Sequence, residues 1–304
     1  MGKVSKASTV QIEEREIRIS NPDKVLFPDI SLTKWDWILH LTRLAPYILP
    51  YARRRFLTMI RWPHGVGGES FYQKNAPSHI PDWISTASSG KLNYILLENA
   101  PTLVWLANLA CLEYHLSFDR ADDPGMPTEL VFDIDPSVED FDRVIETALL
   151  TREALRELDL DGVVKTSGAT GLQVYVPIQP IYPFEQTRRI SHFLADYLAG
   201  RRPDLITLER KVDKRGEKVY FDYLQHWRGK SLIAPYSTRA RPGAPVSTPL
   251  TWDELKPGLT PQAFTVNTIH KRLSLKGDPF QKVVQPASPY RLDPILAFLN
   301  RKKR

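Results

Sequence analysis

The sequence predicts an α+β fold, and three observations carry that prediction. Helix-period and strand-period segments are both present, they do not alternate strictly as βαβ units, and 25 prolines scattered through 304 residues demand many connecting loops. At 42% hydrophobic and 25% charged residues the chain has an ordinary globular composition, long enough for one large domain or two small ones.

Taken in order, residues 1–16 open on a polar stretch expected to be flexible. A helix is expected from Thr33, where Thr33 and Asp36 approximate a capping box, through WDWILHLTRLAPYILPYA with a break near Pro46. ENAPTLVWLANLACLEYHLSF passes from helical periodicity to alternation, which predicts a strand at 112–117. ELVFDIDPS (129–137) reads as a strand that Pro136 ends, since proline cannot donate to a ladder. SVEDFDRVIETALLTREALREL predicts an amphipathic helix opened by Ser137, with acids in its first turn. VVKTSGATGLQVYVPI is read as a hairpin around Gly168–Gly171, FEQTRRISHFLADYLAGRR as a further helix, and KVYFDYL (218–224) as another strand. No repeat or Gly/Ser-rich linker divides the chain, so 17–297 is expected to be one domain, followed by a basic tail at 298–304 ending in RKKR.

The single cysteine, Cys111, excludes a disulfide framework and a cysteine-based zinc site, and fits a reducing, cytoplasmic setting. No apolar run approaches the ~20 residues of a membrane span, and the first residues lack the apolar stretch of a signal peptide. The net charge is +6 and the pI about 9.2. Arg201 to Arg241 carries eleven basic against five acidic residues, so this segment alone holds a surplus equal to that of the whole chain. Such a surplus points to an anionic partner, although a charge run is usually a solvated face.

Two carboxylates interrupt the apolar run of ELVFDIDPS. Side chains two apart share a strand face, so Val131, Asp133 and Asp135 line one side and Leu130, Phe132 and Ile134 the other. Side-by-side acids at a strand end repel unless a cation lies between them, and hard ions such as Mg²⁺ and Mn²⁺ take oxygen ligands. The plainer alternative is a solvated pair at a strand-to-turn junction. KVYFDYL repeats the anomaly with Asp222, and a third acid is what a two-metal phosphoryl-transfer site requires; a lone strand-end acid paired with a basic neighbour is the alternative. Ser167, Gly168 and Gly171 form a turn able to present N–H groups and a hydroxyl to a phosphate, or else a simple hairpin. Gln173 shares a face with Tyr175, opposite Leu172, Val174 and Val176, and is expected to reach a ligand rather than the core.

Together, NPDKVLFP, ELVFDIDPS, KTSGATGLQVYVPI and the long VYFDYLQHWRGKSLIAPYSTRARPGAPVSTPLTWDEL resemble, in this order, the polymerase domain of bacterial ligase D, within the archaeo-eukaryotic primase superfamily. The resemblance runs from about Ile17 to about Ala297. It implies a primase-polymerase-like fold, with mixed or antiparallel sheets flanked by helices around a central cleft, and a nucleotidyl transferase that binds two Mn²⁺ or Mg²⁺ ions. Gaps would be filled and ends extended in non-homologous end joining, with a taste for ribonucleotides.

By the same resemblance, Asp133, Asp135 and Asp222 are the catalytic metal ligands. His115, Ser167, Gly168, Gly171, Gln173, Gln225, Lys230 and Arg239 serve the nucleotide. Asn21 and Lys24 recognise a DNA 5′-phosphate, and Phe71 and Tyr72 stack on template bases, where ordinary core packing is the alternative. Many relatives have lysine at the place of Thr170 and histidine at that of Gln173, which leaves less positive charge for a triphosphate. No K-x-D-G ligase signature occurs, so the implied partners are gapped or broken DNA, nucleoside triphosphates, Ku and a separate ligase, in a nucleoid-associated cytoplasmic setting. A primase, or a non-catalytic module that binds 5′-phosphorylated ends, are the rival readings.

Overall fold

The computed structural model describes residues 7–301; the first six residues and the last three, most of the RKKR tail, lie outside the described residues. The chain divides into two compact units. One comprises residues through Leu116 with Leu232–Ser247 and Phe264–Leu275; the other comprises Ser117–Ser231, Thr248–Ala263 and residues from Lys276 onward.

In the first unit, β1 (Ala7–Ile12) pairs antiparallel with β2 (Arg15–Ser20), Ala7 opposite Ser20. Residues 7–16, expected to be loose, are therefore held in a hairpin, anchored by buried Ile17 and Ile19. A short ladder of β3 (Val25–Phe27) and β4 (Leu32–Thr33) leads into α1 (Lys34–Ala52). The capping box is complete: Thr33 Oγ1 accepts the Asp36 N–H at 3.2 Å, and Asp36 Oδ2 accepts the Thr33 N–H at 3.0 Å.

The expected break near Pro46 does not occur, and α1 continues through Pro46 and Pro50. Its Trp37, Leu41, Leu44 and Ile48 are fully buried, and the helix packs on α2 (Ala100–Asn108). Burying each such side chain contributes roughly 1.5–3 kcal/mol, enough together to outweigh about 3 kcal/mol per interior proline. β5 (Arg55–Arg61) pairs with β6 (Phe71–Gln73), and β7 (Thr86–Ser89) with β8 (Leu92–Ile95). β9 (Cys111–Arg120), longer at both ends than the predicted strand, starts in this unit beside β5 and ends in the second.

In the second unit, β10 (Asp123–Pro127) pairs with the end of β9. The centre of the unit is a six-stranded sheet. It contains β11 (Glu129–Asp135), β12 (Val163–Thr166), β13 (Leu172–Pro177), β14 (Ile206–Thr207) and β15 (Val219–Asp222). After β16 (Ser231–Ile233), β17 (Pro249–Leu250) completes it in the order β14-β15-β11-β13-β12-β17. Only the β14–β15 pair is parallel.

Helices α3 (Phe141–Arg156) and α4 (Phe184–Arg201) pack on this sheet. Ser137 does not open α3; Asp140 does, its side chain accepting the Arg143 N–H. α5 (Ile269–Lys276), α6 (Gln281–Val284) and α7 (Asp293–Arg301) follow. No helix among the described residues is long and apolar enough to cross a membrane.

Candidate active site

β11 ends at Asp135, immediately before Pro136, as the proline requires. It lies between β15 and β13, and its register sets Asp133 opposite Asp222 on one side and Gln173 on the other. Gln173 in turn faces Lys165 of β12. One row across four strands therefore reads Asp222, Asp133, Gln173, Lys165. Directly opposed residues share a sheet face, as do residues two apart, so Asp135 and its partner Tyr220 join the same patch. The three expected acids are brought together on one surface of the sheet.

Asp133 is buried, while Asp135 and Asp222 are partly exposed. Gln173 Nε2 donates to Asp133 Oδ1 at 2.9 Å, and the fully buried Lys165 Nζ donates to Gln173 Oε1 at 2.5 Å. Asp222 Oδ1 accepts from the Tyr220 hydroxyl at 3.1 Å and from the Leu224 N–H at 3.0 Å. The Arg215 guanidinium lies 3.8 Å from the Tyr220 ring centroid and links the basic segment to that tyrosine. Burial pushes the Asp133 carboxyl well above the ordinary carboxylate range. Asp135, and more weakly Asp222, add like-charge repulsion, against which the Gln173 N–H and the Lys165 charge work.

Such a carboxyl takes up a proton or acquires a cation, and an all-oxygen donor set suits Mg²⁺ or Mn²⁺. Among the described residues, however, no three His, Cys, Asp or Glu side chains converge as the ligands of a metal would. One oxygen of Asp133 and one of Asp222 are instead drawn to their protein neighbours.

The hairpin between β12 and β13 forms as expected, with Thr166 opposite Leu172 and the Ser167 N–H donating to Gly171 O at 2.9 Å. Its amides are less available than the sequence suggests, because Ser167 Oγ accepts the N–H groups of Ala169 (3.2 Å) and Gly171 (3.0 Å). Gly168 takes a left-handed φ of 70°. Gly171 answers a different need: a Cβ there would lie 2.5 Å from Ile134 O and 2.8 Å from Asp135 Oδ1. The missing side chain lets the turn close onto the acidic end of β11. Gln173, expected to reach a ligand, is buried and has both ends of its amide committed. After β15, Gln225 Nε2 donates to Ser231 O at 3.0 Å and Lys230 Nζ to Leu224 O at 2.9 Å, closing their own loop.

In the first unit, strand alternation puts Glu113 on the face of His115. Glu113 Oε2 lies 2.9 Å from His115 Nε2 and accepts from Arg239 Nη1 at 2.7 Å, while Oε1 accepts the Ala240 N–H at 3.0 Å. Burial alone would raise the Glu113 pKa; the His115 hydrogen bond, the Arg239 charge and the Ala240 N–H prevail and hold it at about 2. The buried Arg239 Nε–H has no partner among the described residues, a donor suited to an anion.

Asn21 takes a left-handed φ of 50°, and its carbonyl accepts the Lys24 N–H at 3.1 Å. Beside this turn, Lys34 Nζ donates to Ser20 O (2.7 Å) and Asn108 O (2.9 Å). Burial, then the charge of Lys24, lowers the Lys34 pKa to about 8. Phe71 and Tyr72 are 45% and 63% exposed on β6, which excludes the core reading. The Lys74 ammonium lies 5.9 Å from the Tyr72 ring centroid.

Sequence reasoning missed Glu113, Lys165, Lys34 and Tyr220. Two of these were within reach of simple alternation, since Glu113 and Lys165 precede His115 and Ser167 by two residues.

The sequence model of the family described as LigD, primase-polymerase domain, matches residues 33–280. The chain belongs to this family. LigD proteins among its relatives include the bifunctional non-homologous end joining protein LigD of Bacillus subtilis, 36% identical over 289 residues. That match covers 94% of this chain and 47% of the relative. The multifunctional non-homologous end joining protein LigD of Mycolicibacterium smegmatis is 34% identical over 79% of this chain and 32% of its own length. The chain thus spans about half or less of these LigD relatives. Among solved structures, the polymerase domain of Mycobacterium tuberculosis ligase D, in complex with DNA, superposes with a TM-score of 0.84 at 31% identity. It is matched over its whole length and over 91% of this chain, and the mixed α+β architecture is that of the LigD polymerase domain.

Proposed function

We propose that this LigD-type domain is a DNA-directed nucleotidyl transferase that fills short gaps and extends broken ends during non-homologous end joining, with ribonucleotides preferred. The observation that carries the reading is the facing of Asp133 and Asp222 across adjacent strands, with Asp135 on the same face. The relatives' names agree, being those of end-joining proteins and of a polymerase domain in complex with DNA.

Asp133, Asp135 and Asp222 are the residues that would hold Mg²⁺ or Mn²⁺. Bound divalent ions supply a Lewis acid for a primer hydroxyl and neutralise phosphate charge. The protein's own groups orient this machinery. Gln173 acts through Asp133 rather than on the nucleotide, and Tyr220 steers Asp222. The Ser167 hydroxyl, Gly168, Gly171, Gln225, Lys230, His115 and Arg239 serve the triphosphate, for which charged and hydroxyl donors are well typed. Asn21, Lys24 and Lys34 take a DNA 5′-phosphate, and exposed Phe71 and Tyr72 stack on template bases. The basic segment tracks backbone phosphates, so binding weakens steeply with salt. Residues 17–297 act as one catalytic domain in the cytoplasm, with Ku and a DNA ligase as partners in joining.

Primer extension on a gapped, 5′-phosphorylated duplex with Mn²⁺ tests this reading. The unaltered protein is expected to add a few nucleotides and Asp133→Ala none; equal extension by both overturns the site assignment.

A further inference from the structure

We infer that Glu113 is a positioning residue that yokes His115 and Arg239 into one preassembled grip for the nucleotide's phosphates. The inference rests on the nucleotidyl-transfer reading above. One carboxylate answers three donors: His115 Nε2 at 2.9 Å, Arg239 Nη1 at 2.7 Å and the Ala240 N–H at 3.0 Å. Arg239 is therefore tied through its guanidinium and through the backbone that follows it. Its own N–H donates to Pro245 O at 2.8 Å, which fixes the segment from the other side.

The second observation is a distance. Arg239 Nη1 lies only 3.5 Å from His115 Nε2. Two groups that can both carry positive charge do not rest so close without compensation, and the Glu113 carboxylate between them supplies it. Glu113 itself is buried on β9, so its orientation is set by the strand rather than by solvent. An arginine side chain loses rotamer entropy when it is fixed. Glu113 fixes it before any ligand arrives, and the ordering cost is removed from binding.

A carboxylate inside an anion grip also repels phosphate. Its net effect on nucleotide binding therefore has opposite signs under the two possible roles. As a positioning group it lowers KM; as a purely structural ion pair it leaves KM unchanged or raises it by repulsion.

The test is steady-state extension of a gapped, 5′-phosphorylated primer-template by the full chain with Mn²⁺, across a range of nucleoside triphosphate, for the unaltered protein, Glu113→Gln, Glu113→Asp and Arg239→Lys. Glu113→Gln is expected to raise KM by about tenfold, equivalent to ~1.4 kcal/mol, with kcat within about threefold. Glu113→Asp should restore part of the loss. Glu113→Gln combined with Arg239→Lys should cost less than the two single effects together, because both break the same unit. If Glu113→Gln fails to fold, Glu113→Asp with Arg239→Lys completes the same cycle. An unchanged or lowered KM, or additive effects in the cycle, overturns the inference while leaving the polymerase reading intact. Absence of extension by the unaltered protein overturns that reading, and this inference with it.

Discussion

The ammonium of Lys165, fully buried, donates a 2.5 Å hydrogen bond to the Gln173 amide oxygen, and the nitrogen of the same amide donates to Asp133. A buried cation and a buried carboxylate are thus connected through one neutral amide. Removing the lysine takes a donor from the buried amide oxygen and a charge that works against protonation of Asp133. Lys165→Met is expected to destabilise the domain by about 1–3 kcal/mol in chelator, the cost of leaving a buried polar group unsatisfied. Urea unfolding with and without Mn²⁺ checks this, with part of the loss recovered when the ion is present. A loss below ~1 kcal/mol would show that Asp133 does not depend on the lysine.

Gly171→Ala forces a Cβ to within 2.5 Å of Ile134 O and 2.8 Å of Asp135 Oδ1. Backbone must move, and the acidic end of β11 moves with it. Extension is expected to fall by more than tenfold, with a stability loss of roughly 1–3 kcal/mol. Gly200→Ala, where the added Cβ meets nothing within 4 Å, is the control for adding a methyl group without crowding. Equal losses in the two variants would refute the crowding argument.

His40 stacks on Trp37 and lies 3.0 Å from His270 through Nδ1. Burial, then His270 and Arg43, lowers its pKa from 6.5 to about 3. The unfolded chain therefore binds a proton that the folded chain refuses. His40 favours folding fully above about pH 6.5, and the benefit is lost as pH falls toward 3, at up to ~1.4 kcal/mol per pH unit. Thermal melts between pH 7 and 4 should show a shallower decline for His40→Gln than for the unaltered protein. Parallel curves would remove His40 as the cause.

Phe71→Ala and Tyr72→Ala remove large side chains that are already exposed, so folding stability should hold within about 0.5 kcal/mol, as is typical of surface changes. Affinity for a single-stranded template should weaken by about 1–3 kcal/mol for each ring that stacks on a base. Fluorescence anisotropy with a labelled oligonucleotide measures this. Unaltered affinity in both would exclude them from the template path.

The acids were legible because their signal is local: two carboxylates at a period of two, stopped by proline, must share a face at a strand end. That Asp222 lies opposite Asp133 was not, because register between strands 89 residues apart depends on the whole sheet. Gln173 was placed on the right face and given the wrong freedom. Its environment is made by Lys165, one strand over, and nothing in KTSGATGLQ shows that the two side chains meet. The helix cap at Thr33 was legible from its two residues, whereas the fate of Pro46 depended on the burial of Trp37, Leu41, Leu44 and Ile48, which only packing decides.

Those two interior prolines also say when α1 can exist. Each withholds an amide from the ladder, so a peptide spanning 34–52 alone in water would stay largely coil, however well Thr33 begins it. The helix is therefore a product of docking on α2 rather than a seed for it. Undocked, this stretch is expected to be open chain, and substitutions on the facing side of α2 should be felt as lost helicity in a segment they do not belong to.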